Sequence, residues 1–181
     1  MQRVPLEFKG SDYFFEKLTG SLMRREAGSG ILNEPSLSSK SALALSQVRD
    51  PYLLRERHCP ELPEQISPGV RLYAKVLTWL CKVSFPLACL WSKVSLRCYP
   101  DAGVATAVYY KIYPGEQQRD LCLPRAFFAR SASRKFKEHG VVFVGAFLPS
   151  VQMHAWVIEE GMHADVWDGN WINFAPVALF E

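Results

Sequence analysis

Residues 140–167 constrain the fold of this chain more than any other stretch. They hold three apolar segments, 141–147, 153–159 and 162–167, and only Glu160-Gly161 separates the last two. Segments of this length rich in Val, Ile, Phe and Trp read as strands, and a two-residue gap joins such strands as a tight antiparallel hairpin. Upstream the pattern is helical. One or two helices are expected over about 70–95, with a kink at Pro86, and a further helical segment over 102–113. Another is expected from about Leu121 to His139, with Asp120 as its cap, Pro124 in its first turn and Gly140 closing it. Helices followed by antiparallel strands predict an α+β domain, with the helices packed on the sheet.

The first 68 residues are less regular. Residues 4–18 can form a hairpin around Lys9-Gly10-Ser11-Asp12, and 39–48 a short helix. Gly28-Ser29-Gly30 and the Ser-rich stretch 36–41 read as loop. Pro60-Glu61-Leu62-Pro63 and Ser67-Pro68-Gly69 cannot continue a helix, so they mark the expected boundary between an N-terminal region, 1–68, and a main domain, 69–181.

Apolar residues make up 49% of the 181 and charged residues 22%, which supports a packed core. The apolar stretch 70–99 is broken by Arg71, Lys75, Lys82, Lys93 and Arg97, so it predicts buried helices and no membrane span. No secretory signal follows Met1, and the expected location is the cytoplasm. A net charge of +3 does not argue for nucleic acid. The charge is unevenly spread. Residues 119–138 carry six Lys and Arg against two acids, and 155–181 carry five acids and no Lys or Arg. The basic run reads as a solvated helix face or as a surface that meets an acidic peptide.

Five cysteines without CxxC pairs make neither a disulfide framework nor a zinc site. Cys81, Cys89 and Cys98 sit in apolar surroundings, and Cys59 follows His58 in the linker. Cys122 falls in a predicted first helical turn, where unpaired N–H groups and the helix dipole favour a thiolate. Arg119 and Arg125 are close to it in sequence. His154 lies on a predicted strand. A two-residue turn at Glu160-Gly161 puts Asp165 on the His154 face, whereas a three-residue loop would put Asp168 there. A nucleophile, a base and a carboxylate that orients the base are then available as Cys122, His154 and Asp165. His163 shares the face of Asp165, and His139 reads as a favourable charge at a helix C-terminus.

An ordered set of motifs runs through the same region. It comprises Asp120-Leu121-Cys122-Leu123-Pro124-Arg125-Ala126, Gly140-Val141-Val142-Phe143-Val144-Gly145, His154-Ala155-Trp156-Val157, Ala164-Asp165-Val166-Trp167-Asp168 and Phe174-Ala175-Pro176-Val177. It resembles the lasso-peptide maturation B proteins, leader peptidases of the transglutaminase-like, papain-related superfamily. The family's Asn-Asp-x-Pro-Asp reads here as Ala164-Asp165-Val166-Trp167-Asp168. The resemblance implies Cys122 as nucleophile, His154 as base and Asp165 as orienter. It also implies a precursor leader peptide as substrate and an asparagine-synthetase-like cyclase as partner. Residues 1–68 would then be a degenerate winged-helix-like element that docks the leader along a strand edge. No metal or redox cofactor enters such chemistry. ATP dependence is described for the family, and no GxxxxGK[ST] segment is present. Two rival functions use the same residues: acyl transfer to an amine, and precursor delivery by a binding module whose triad is vestigial.

Overall fold

The computed structural model describes residues 1–4, 6–8, 11–16, 18–26, 37–50, 53–55, 59–115, 121–148, 150, 152–165 and 167–181. Gly28, Ser29, Gly30, His58, Arg119 and Asp120, and Lys9 and Gly10 of the predicted turn, lie outside them. The described chain is mixed α+β, and its sheets are antiparallel. β1 (Gln2–Arg3) is followed by β2 (Leu6–Phe8), β3 (Ser11–Glu16) and β4 (Ser21–Glu26), and then by α1 (Ser39–Arg49). Four helices come next: α2 (Pro68–Val83), α3 (Phe85–Trp91), α4 (Ala102–Ile112) and α5 (Cys122–Ala132). A single turn, α6 (Phe136–His139), leads into β5 (Gly140–Phe147), β6 (Gln152–Glu159), β7 (Met162–His163) and, after a 3-10 turn, β8 (Ala175–Phe180).

The main sheet has the order β1-β8-β5-β6-β7, and β2-β3-β4 form a second sheet. Strand side chains alternate between faces. Val142, Val144, Ala155 and Val157 therefore join one core with α2, α3, α4 and α5, while Val141, Phe143, Trp156 and Ile158 join another with Ala44, Leu45 and Val48 of α1. The sheet is covered on both faces. Phe127, Phe128, Ala129 and Ala132 are fully buried, and α5 lies in the interior, packed against α2 and α4.

Several expectations change. The region 70–95 is two helices that part at Ser84, which caps α3; Pro86 then sits harmlessly in the first turn of α3. The helix expected over 121–139 ends at Ala132. Ser133 turns to extended backbone, bridges Tyr99, and gives its hydroxyl to the buried carboxylate of Glu159 at 2.6 Å. The same carboxylate accepts the Ala102 N–H at 2.7 Å, so one buried acid on β6 ties down the starts of α4 and α6. The predicted N-terminal hairpin pairs at Leu6↔Tyr13 and gains a third strand, β4. β1 pairs with β8, Phe15 enters the helical core, and α1 covers the back of the main sheet. Among the described residues no helix is long and apolar enough to cross a membrane.

Candidate active site

Cys122 is the first residue of α5, after the N-cap Leu121. Three other helix starts are closed by side chains, though α3 has none. Ser38 caps α1, Ser67 caps α2 and Asp101 caps α4, each accepting an N–H of the first turn. Among the described residues no side chain caps α5. Its first α-type bond runs from the Arg125 N–H to the Leu121 carbonyl, and Pro124 has no N–H. The amides of Cys122 and Leu123 thus have no carbonyl to bond inside the helix, and the positive end of the helix dipole lies at the sulfur.

The sulfur meets β6 at its edge. The Val157 carbonyl accepts from the Ala164 N–H at 2.9 Å, so the backbone groups of Val157 point toward β7. Those of Ala155, two residues earlier, point the same way. β7 has paired only with Ile158 and Glu159, so the Ala155 amide looks past its end and bonds the Cys122 sulfur. His154 is adjacent. Its Nε2–H donates to Asp168 Oδ2 at 2.5 Å, and the imidazole is near enough to the Cys122 thiol for each to shift the other's protonation. The imidazole lies between Trp156, stacked with ring centroids 6.0 Å apart, and Phe174 at 5.0 Å. Gly145 is directly opposite His154 on β5, at a register shift in the pairing of β5 with β8. A Cβ there would lie 2.6 Å from the Trp156 ring and 2.9 Å from Phe174. Glycine at 145 is what lets those two rings close on the histidine.

The carboxylate on His154 is Asp168, in place of the expected Asp165. The hairpin turn is the two-residue Glu160-Gly161, as the spacing predicts, with Glu159↔Met162 and Ile158↔His163 paired. The pairing then stops. Counting by twos holds only while the strand stays in its ladder, and the chain leaves it at Ala164. Asp165 becomes buried instead against Arg125 Nε at 3.0 Å and accepts from the Tyr110 hydroxyl at 2.6 Å. Arg125 also reaches Asp168 Oδ2 at 3.4 Å and lies 4.8 Å over the Tyr110 ring. It is 6% exposed and serves as the cation between the two aspartates, so it does not belong to a solvated basic face. The helix-start spacing Cys122-Leu123-Pro124-Arg125 was the signal for it: residues i and i+3 share a helix side. His163 stacks on Trp171 at 4.9 Å and gives its Nδ1–H to the Asp165 carbonyl at 2.8 Å, so it buttresses the loop. His139 is in the last turn of α6, 3.7 Å from Glu138.

These contacts set the charges. Burial alone would raise the Cys122 thiol, but the hydrogen bond and charge of His154, the Ala155 amide and Arg125 together hold it below its ordinary value. Burial lowers His154, yet Asp168 and Cys122 outweigh it and lift the imidazole to about 9. Burial would raise Asp168, and His154 and Arg125 bring it below the usual carboxylate range. The favoured state is a thiolate beside an imidazolium, held by a carboxylate. Cys81 lies deep in the helical core and burial pushes it up to about 12, and burial also raises Cys98. Iodoacetamide at pH 6 should therefore alkylate Cys122 well ahead of Cys81, Cys89 and Cys98, with the site read by peptide mapping. Equal labelling of all the cysteines at that pH would show that the thiol is not activated.

Among the described residues no group of three His, Cys, Asp or Glu side chains is placed to hold a metal ion. No protein-family model, curated protein or solved structure matches the chain.

Proposed function

We propose that this chain is a cysteine peptidase of the transglutaminase-like, papain-related kind, and that it removes the leader from a ribosomally made lasso-peptide precursor. The observation that carries the chemistry is a His154 imidazole that is bonded to Asp168 and in electrostatic contact with the Cys122 thiol, at the uncapped start of a buried helix. The leader as substrate rests on the motif resemblance alone.

In this reading the Cys122 thiolate attacks the scissile carbonyl carbon. The new oxyanion is met by the Cys122 N–H, with Leu123 as the neighbouring unpaired amide. The His154 Nδ1–H protonates the departing amine, which leaves as the free core N-terminus, and the leader stays on sulfur as a thioester. Neutral His154 then takes a proton from water, hydroxide adds to the thioester, and the thiolate leaves. Asp168 keeps its bond to Nε2–H throughout, so Nδ1 always faces the reacting atoms. The freed amine suits ring closure by a partner cyclase. β4 is an edge strand of the small sheet, and an extended leader segment can add to it by backbone pairing.

The same residues would serve acyl transfer to an amine. The distinguishing measurement is the product mass when the purified chain meets its precursor with and without an added primary amine. Hydrolysis gives two fragments that together weigh the precursor plus one water, whatever the amine concentration. Conversion of leader to its amide as amine is added would assign transferase activity instead.

A further inference from the structure

α2 is apolar on two opposite sides. Tyr73, Ala74, Leu77 and Leu80 face the core and are buried. Leu72, Val76, Trp79 and Val83, spaced four, three and four apart, form a second stripe. At about 100° per residue this stripe fills an arc of roughly 60° on the side away from the core and runs for about 16 Å. Trp79 is 60% exposed, Leu72 63% and Val83 55%, while Val76 between them is partly buried against the core. Helix stability does not explain such a stripe, because the core face already holds α2 in place. A contiguous exposed apolar surface on a soluble chain marks a contact.

The stripe has two different banks. On one side, within about 40° of each other, stand the exposed Arg71, Lys75 and Lys82. On the other side lies α3, fixed there by the Trp91 ring stacked on Tyr73 at 5.8 Å. α3 has no charged residue and leaves Leu87 and Leu90 exposed. From Glu64 to Asp101 the sequence contains five Lys and Arg and no acid between those two residues.

We infer that the outer face of α2 and α3 seats an amphipathic helix of a partner protein, with an apolar seam on the Leu72–Val83 stripe and carboxylates along the Arg71–Lys82 bank. The 4-3-4 spacing is the seam of helix-on-helix packing, and charges beside such a seam select the partner. A second copy of this chain brings the same cations and is repelled. A bilayer surface presents headgroups on every side of an inserted apolar face, whereas on α2 the cations stand on one flank only. This inference is independent of the peptidase reading.

The test uses the full chain and two synthetic three-heptad peptides with Leu at the seam positions. One has Glu beside the seam, and its twin has Lys. By fluorescence anisotropy the Glu peptide should bind at least tenfold more tightly than its twin. Lys75→Glu with Lys82→Glu should reverse that preference. Trp79→Ser should weaken the Glu peptide at least tenfold while leaving Cys122 alkylation and the circular dichroism spectrum unchanged. Equal binding of the two peptides, or a preference indifferent to the charge reversal, overturns the inference. So does Trp79-dependent sedimentation with phosphatidylglycerol vesicles when neither peptide binds, which would assign the face to lipid. A dimer that Trp79→Ser dissolves would assign it to self-association.

Discussion

Cys122→Ala should lower precursor cleavage by a factor on the order of 10⁶, to the background of the assay, because triad members act as a unit and loss of the nucleophile alone removes nearly all of their effect. The fold should survive the change. Cys122 is at the edge of the helical core, and losing a partly buried sulfur there costs about 1–2 kcal/mol at most. The variant should still bind its precursor, and that separates catalysis from delivery. A Cys122→Ala protein that supports full maturation in a reconstituted system would mean that the chain only carries the precursor and that the triad is idle. The wild-type rate should also fall above pH 9, where His154 loses the proton it gives to the leaving amine.

The second large effect divides the two aspartates. Asp168→Ala should cut the rate by a factor on the order of 10²–10⁴, as for other losses of a histidine orienter. It should also move the alkaline limb of the pH profile downward, since Asp168 is one of the groups that lift His154. A purely structural role for Asp168 would leave that limb in place. Asp165→Asn should act on stability. Removing one partner of a buried ion pair costs about 3–5 kcal/mol, and here it leaves Arg125 with a single, more distant carboxylate. At a temperature where Asp165→Asn is still folded, its cleavage rate should stay within tenfold of wild type. Loss of cleavage in a folded Asp165→Asn with normal cleavage by Asp168→Ala would reverse these roles.

The sequence was most readable where one local rule decided the outcome. The α5 start at Cys122, the strand carrying His154 and the Glu160-Gly161 turn all follow from spacing and turn chemistry. The fate of Asp165 does not, because it depends on where β7 leaves its ladder, and a buried arginine on another element captures the carboxylate there. The end of α5 was hidden for a similar reason. Nothing between Cys122 and His139 breaks a helix locally, and the break at Ser133 is imposed by Tyr99 and Glu159 from elsewhere in the chain. β8 was unreadable as a strand. Val177, Ala178, Leu179 and Phe180 are buried on both faces, so the run lacks the alternation that marks a half-exposed strand. The contacts of β1, Phe15 and α1 with the main sheet and helical core come from a two-residue strand, one aromatic and one helix of weak amphipathicity, too little local signal to read from the sequence.

Gly145 carries a consequence for how such a sequence can drift. The position touches no reacting atom and offers no functional group, so a search for chemistry passes over it. Yet any codon change away from glycine places a carbon inside the space of Trp156 and Phe174, the two rings that bracket His154. A lineage can exchange many surface residues without touching the imidazole, but it can leave glycine at 145 only after Trp156 has first become smaller and the Phe174 Cβ has moved away. The order in which mutations can accumulate around the site is thus set by a residue with no side chain.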